Sequence, residues 1–503
     1  MGKRVLVGLD NGGSETKCAV FTLSGEELAV ASRRLPIVVP HPGWSERDAH
    51  GVWRMNCEAI RDALAQAGVS GADVAGVGLT GYGNGVVLVD GHGQPTYPAI
   101  ISTDERASGV CAELAASGVQ RSIFPLTRQT MWAAQPAALL RWFRQNRPEV
   151  LERSRWYLGI KDYIRLCLTG EATTEVTEAS STCLMNLDTR SFDERIFEAL
   201  GIPELMRLMP PVLESCAVGG TVTAEAAEAS GLAAGTPVVA GYFDIDAAEF
   251  ASGVADEDTL CLIAGTWSIN EHLAREANAD YDRRRNTVTL GYRPGFFNVE
   301  ESWATSASNF DWFVDKLLLA DRPGTPRSQV YQECNEVVAR LDPRDSSAVF
   351  VPYLYDAPYP SGADACFLGL SSYTSRDQMV LAVYEGVCLC TLWNVRQLVG
   401  KDLSGLRVRL SGGVAKSAPW TQIMADVLGA PVETLANTEL SAQGAAMAAG
   451  IATGDYTSFD DAIARAVRLG PTVQPRADLV EVYQRKYRRY ERALEALKTF
   501  GGD

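Results

Sequence analysis

The sequence predicts an α/β chain of two domains, and three observations carry that prediction. The chain has 503 residues, more than one core ordinarily serves, so two domains of roughly 200–250 residues each are expected. A strand, a Gly-containing turn and a second strand open each half, first from Arg4 and again from Thr259. Apolar residues at helical spacing recur between strand-like runs, as in mixed α/β architectures. The repeated strand–turn–strand unit is also what a duplicated domain would leave. The boundary is expected near residues 245–258, which gives domains 1–248 and 249–503.

The elements follow in order. Arg4 to Leu9 and Lys17 to Leu23 alternate as strands around a turn, and Ser24-Gly25 makes the next turn. That is a β-hairpin, not the opening of a βαβ unit. Val52 to Ala67 has helical spacing, Val74 to Leu79 and Val86 to Val89 read as strands, and Pro136–Asn146 and Lys161–Leu168 read as helices. Met209-Pro210-Pro211 is a break. Pro237 to Ala240 is a strand ending at Gly241, ahead of a helix-like Ala247–Ala251, and Thr259 to Ile263 is a strand. Leu406 runs as a strand into Gly412-Gly413, and the helices Trp420–Leu428 and Glu439–Ala449 follow, the second with Gly444 for close packing. Leu479 to Thr499 is a charged amphipathic helix.

Composition narrows the function classes. A net charge of −16 argues against general affinity for nucleic acid or anionic membrane. It leaves room for an anionic ligand, because backbone N–H groups and a metal ion supply local positive potential. The apolar run after Lys3-Arg4 is too short for a signal peptide, and no run of about 18 apolar residues is expected to span a membrane. Eleven Cys without a CxxC pair, and four scattered His, point to reduced thiols in the cytoplasm and no zinc site.

Five segments have candidate chemistry. Asp10-Asn11-Gly12-Gly13-Ser14-Glu15-Thr16-Lys17 lies between two strands. Its glycines allow a phosphate to approach the backbone, Asp10 can hold hydrated Mg²⁺, and Lys17 adds a cation. The plain alternative is a Gly-rich hairpin turn. Gly76-Val-Gly78-Leu-Thr-Gly81 matches GxGxxG, but another strand follows where a dinucleotide site needs a helix, so that reading fails. Asp244, after Gly241-Tyr-Phe, is either a helix N-cap or a carboxylate placed to take a proton from a hydroxyl. Asp246 is the alternative cap. Gly265-Thr266-Trp267-Ser268 is a second small-residue turn that can bond a terminal phosphate. Ser411-Gly412-Gly413, with Lys416-Ser417 close behind, is either a tight strand–helix turn or a surface on which adenine lies flat.

In this order and spacing these segments, with Gly43-Trp44-Ser-Glu46-Arg-Asp48 and Lys161-Asp162-Tyr163, resemble the FGGY family of carbohydrate kinases over nearly the whole chain. The resemblance implies two ribonuclease H-like domains of the actin and hexokinase type, with a cleft between them. It implies a cytoplasmic, ATP- and Mg²⁺-dependent kinase, with a homodimer left open. Asp244 matches the catalytic base and, with Asp10, the metal-associated acids. Gly12, Gly13, Ser14 and Lys17 match the first phosphate loop, Gly265 and Thr266 the second, and Gly412, Gly413 and Ser417 the adenosine site. Pro125-Leu-Thr-Arg-Gln-Thr-Met-Trp132 looks most like L-xylulose kinases and related xylulokinases, so the expected substrate is a pentulose, L- or D-xylulose. Three positions depart from the family: Tyr82-Gly83-Asn84 where Gln is frequent, Glu175 where Asp is usual, and Gly13 where Thr is commoner. Tyr82, Asn84 and Trp132 are the candidate sugar contacts. The alternatives are a polyol kinase for glycerol or erythritol, and a non-catalytic actin-like nucleotide switch.

Overall fold

Both expected hairpins form. In the computed structural model, which describes residues 4–283, 286–355, 357, 362–400, 403 and 405–500, Val5–Asn11 is antiparallel to Glu15–Thr22. Thr259–Ala264 is likewise antiparallel to Ser268–Ala274. Contacts divide the chain into two units: Met1–Ala255 with Leu273–Asn298 and Glu439–Arg468, and Asp256–His272 with Val299–Thr438 and Leu469–Asp503.

The sheet of the first unit runs in the order Val218–Thr221, Pro237–Val239, Val74–Gly81, Val5–Asn11, Glu15–Thr22, Glu27–Arg34. The last three are mutually antiparallel, and Val74–Gly81 is parallel to both Val5–Asn11 and Pro237–Val239. This is the ribonuclease H-like plan. Val5, Val7, Leu9, Val77 and Leu79 pack against Ile60, Ala63, Ile164 and Leu168 of the helices Ala49–Ala67 and Ile160–Thr169. The helix Leu440–Ala452 lies so close to these strands that a Cβ on Gly8 would sit 1.9 Å from the Ala442 carbonyl oxygen, and one on Gly78 1.8 Å from that of Ala445. The GxGxxG run is therefore strand, and its central glycine is there to admit a helix backbone. Gly444 meets its packing expectation, since a Cβ there would sit 1.9 Å from the Ala247 carbonyl oxygen.

In the second unit Thr259–Ala264 is parallel to Arg407–Ser411, and that strand to Val432–Leu435. Leu469–Val473 closes this edge antiparallel. The helix Arg376–Val399 begins at a capping box of Ser375 and Gln378. By length and composition it is apolar enough to cross a membrane, contrary to the sequence reading, but 83% of its most apolar window is buried inside the protein. A core helix that is covered on all sides has the same composition.

Several helices start earlier than apolar spacing suggests: Ala49, Asp244 and Ala418 in place of Val52, Ala247 and Trp420. First-turn residues need not be apolar, so periodicity cannot find them.

Candidate active site

The site residues of the first unit gather where parallel strands end. Asp10 is in register with Thr80, and Thr80 with Tyr242. The chain then continues to Tyr82 and Asn84 from one strand, and to Asp244 from its neighbour. Ligands in open α/β sheets bind at such carboxyl ends. Several polar atoms here are buried without a hydrogen-bond partner among the described residues: one Asp10 carboxylate oxygen, the Tyr82 hydroxyl and the Asn84 side-chain oxygen. Buried polar groups are ordinarily paired, so their concentration at one spot marks a place for a polar ligand. Burial pushes the Asp10 carboxyl up to about 6, against the pull of Lys17 and with Glu439 and Glu15 adding to the rise. An acid raised in this way, with an oxygen to spare, fits a hydrated divalent cation. Trp132 is 43% exposed, and its backbone N–H bonds Gln135.

The first turn is held from behind. Arg47 donates to the Gly12 carbonyl oxygen at 3.1 Å and to the Gly13 carbonyl oxygen. A trans peptide puts each N–H opposite its C=O, so Arg47 turns the N–H groups of Gly13 and Ser14 the other way. Lys17 pairs with Glu439 at 2.9 Å and lies 3.5 Å from Glu15. Arg47 is buried and, among the described residues, has no carboxylate partner. Among the described residues, the cation left uncompensated at this turn is thus Arg47, on the two-residue strand Glu46–Arg47 within the Gly43–Asp48 segment, and not Lys17. Its neighbour Glu46 is anchored by Arg106, whose guanidinium lies 4.0 Å from the Trp44 ring centroid.

Asp244 is the first residue of the helix Asp244–Ala251, and Phe243 is its N-cap. Neither Asp244 nor Asp246 caps it, and Asp246 lies buried in the first turn. The cap alternative therefore falls for both. Beneath lies a buried charged cluster. Lys161 Nζ sits 2.9 Å from Asp162, 3.2 Å from Glu175 and 3.8 Å from Glu178. The two nearer carboxylates take most of that lysine's charge. Burial accordingly pushes the Glu178 carboxyl up to about 8, opposed by Lys161 and reinforced by Asp162, Glu175 and Asp244.

The second unit's turn is built differently. The Gly265 carbonyl accepts from the Ala307 N–H at 3.0 Å, and the Thr266 carbonyl from the Ser308 hydroxyl at 3.0 Å. The same peptide geometry turns the N–H groups of Thr266 and Trp267 away from those partners. Gly412 has φ +87°, and a Cβ there would sit 2.5 Å from the Ala264 carbonyl oxygen, so the strand end requires glycine. Gly265, Thr266, Gly413 and Ser417 border a cavity of about 340 Å³ walled by Phe310, Tyr331, Tyr384 and Trp420. Ser417 caps the helix Ala418–Leu428 and donates to Asn335 at 2.5 Å. The aromatic walls and Asn335 were missed in the sequence, because isolated aromatics in a long chain have no distinguishing spacing. The cavity suits a flat, polar-edged ring.

The chain matches the N-terminal domain of the FGGY family of carbohydrate kinases over residues 5–251 and the C-terminal domain over residues 260–453. It is 32% identical to an L-xylulose/3-keto-L-gulonate kinase of Escherichia coli (strain K12), across 98% of this chain and 97% of that one. It is 30% identical to an erythritol kinase of Brucella abortus (strain 2308), across 98% and 96%. The crystal structure of a xylulose kinase from Rhodospirillum rubrum superposes with a TM-score of 0.89 at 29% identity, covering 99% of this chain and all of that one.

Proposed function

The chain belongs to the FGGY family of carbohydrate kinases and is an ATP-dependent sugar kinase; we propose that it phosphorylates a primary hydroxyl of a pentulose of the xylulose type. The observation that carries this reading is the meeting of Asp244, Asp10, Tyr82 and Asn84 at adjoining strand ends, where Asp10, Tyr82 and Asn84 each have a buried polar atom without a partner among the described residues. Asp244 takes the hydroxyl proton as the oxygen attacks the γ-phosphorus, and ADP leaves with the electrons of the broken P–O bond. Arg47 keeps the Gly13 and Ser14 N–H groups turned outward for phosphate oxygens, and Gly265 and Thr266 form the second phosphate turn. Gly412, Gly413 and Ser417 with the aromatic cavity take the adenosine. Asp10 and Asp244 would hold Mg²⁺, which neutralises phosphate charge when bound. Tyr82 and Asn84 set the sugar, with Trp132 as an outer wall. Similarity to a kinase named for L-xylulose and a structure named for xylulose supports the pentulose. Similarity to an erythritol kinase favours a polyol as the second reading.

The test is coupled ADP release on L- and D-xylulose, L- and D-ribulose, glycerol and erythritol. A pentulose is expected to have the highest kcat/KM, and a clear preference for erythritol or glycerol would replace it with the polyol. Exchanging Tyr82→Phe or Asn84→Ala should shift that preference and leave KM for ATP in place. An unchanged preference removes both residues from the sugar site.

A further inference from the structure

Asp244 needs a fixed backbone, and its own helix does not supply the usual anchor. The N-cap residue Phe243 has no side-chain oxygen to bond the first turn. An outside group holds this junction instead. The backbone N–H of Phe243 donates to the Thr177 hydroxyl at 2.9 Å. That hydroxyl has one proton, which it donates to Glu175 Oε1 at 2.8 Å, leaving a lone pair directed to Phe243.

Glu175 is itself immobilised. Oε1 also accepts from the Glu178 N–H at 2.8 Å, and Oε2 accepts from the Thr177 N–H at 2.8 Å and from the Ser215 hydroxyl at 2.6 Å. Lys161 Nζ lies 3.2 Å from Oε1. Glu175, Thr177, Glu178, Lys161 and Ser215 are buried, so the bonds to the carboxylate act in a low dielectric, and Phe243 is half-buried. The carboxylate is the N-cap of the helix Val176–Ser181 and projects far enough to take all of these donors at once. A Glu here reaches one methylene further than an Asp would.

We propose that Thr177, oriented by Glu175, is a positioning residue for the base: its hydroxyl sets where the Phe243–Asp244 peptide lies and so where the Asp244 carboxylate meets the acceptor. This rests on the reading of Asp244 as general base. A displacement of about 1 Å at a reacting group costs up to about 10²-fold in rate, so one lost backbone anchor is expected to show in kcat.

The test compares Thr177→Val, Thr177→Ser, Asp244→Asn and the double variant Asp244→Asn/Thr177→Val in the full chain. Thr177→Val keeps the shape and loses the hydroxyl. Its kcat should fall about tenfold, with KM for ATP within about twofold of the parent, and Thr177→Ser should restore kcat to within about twofold. The double variant should be no slower than Asp244→Asn alone, since Thr177 acts only through that carboxylate. Parent-like kcat in Thr177→Val overturns the proposal. So does an equal loss in Thr177→Ser, or a further loss in the double variant, because either result assigns a packing role. Should Thr177→Val not fold, Thr177→Ala is compared with Thr177→Ser, and equal kcat in those two overturns it. Near-parent turnover in Asp244→Asn defeats the base reading itself. A crippled Asp244→Asn beside a parent-like Thr177→Val defeats only this inference.

Discussion

The two hairpin turns occupy the same place in their sheets and are held by opposite chemistry. At the first, a buried guanidinium takes the carbonyls of Gly12 and Gly13, and the turn's own segment contains the ionisable Asp10, Glu15 and Lys17. At the second, a backbone N–H and a serine hydroxyl take the carbonyls of Gly265 and Thr266, and the turn from Gly265 to Ser268 has no ionisable residue. Both arrangements aim peptide N–H groups by the same planar geometry. The difference is in what else they supply. The charged turn sets the field around a carboxylate cluster, and the neutral one adjoins an aromatic cavity. Duplicated topology thus fixes where a turn lies and leaves its electrostatics to the surrounding side chains.

The comparison breaks first at Asp244. Asp244→Asn should lower kcat by about 10²-fold or more, the scale of a lost general base, while nucleotide affinity by calorimetry stays near that of the parent. Equal losses in rate and nucleotide affinity would show that the two halves are not chemically separate. Arg47→Gln comes next. It removes charge-assisted bonds of about 1.5–3 kcal/mol, so KM for ATP should rise about tenfold or more. The corresponding change at the second turn, Ser308→Ala, removes one neutral bond of about 0.5–1.5 kcal/mol and should raise KM for ATP only about threefold. Equal effects from the two would erase the distinction between a charged and a neutral turn.

The smallest effect is on stability. Glu178 keeps its proton in the fold up to about pH 8, whereas the unfolded chain loses it near 4.5. Its contribution is therefore complete below the unfolded value and is lost as pH rises through the folded one. Glu178→Gln mimics the protonated acid, so its Tm should decline less than the parent's between about pH 4.5 and about 8. Parallel Tm curves would show that Lys161 already holds Glu178 as a carboxylate.

Periodicity and turn chemistry made much of this molecule legible. The helix Pro136–Asn146 stands where its spacing puts it, because Pro136 at the first helical position and an apolar stripe act locally. Asp10, Gly12, Gly13, Gly265 and Gly413 were readable as turn and strand-end residues for the same reason. Arg47 was named only within the Gly43–Asp48 segment, and its role at the turn was not legible, since its partners Gly12 and Gly13 lie on another element. Nor was the Lys17–Glu439 pair, whose members stand 422 positions apart. The GxGxxG run shows a mixed case. The strand that follows it was enough to exclude a dinucleotide loop, but the reason for its central glycine, a helix backbone lying against Gly78, was not legible.

The sequence by itself determined the two hairpins, the strand-end acids and the small residues of both turns, because each depends on neighbours within a few positions. Only the tertiary structure decided which cation remains uncompensated, which carboxylates share Lys161, and that Thr177 anchors the peptide before Asp244. Burial and distance set those outcomes, and both arise only when elements remote in the chain pack together.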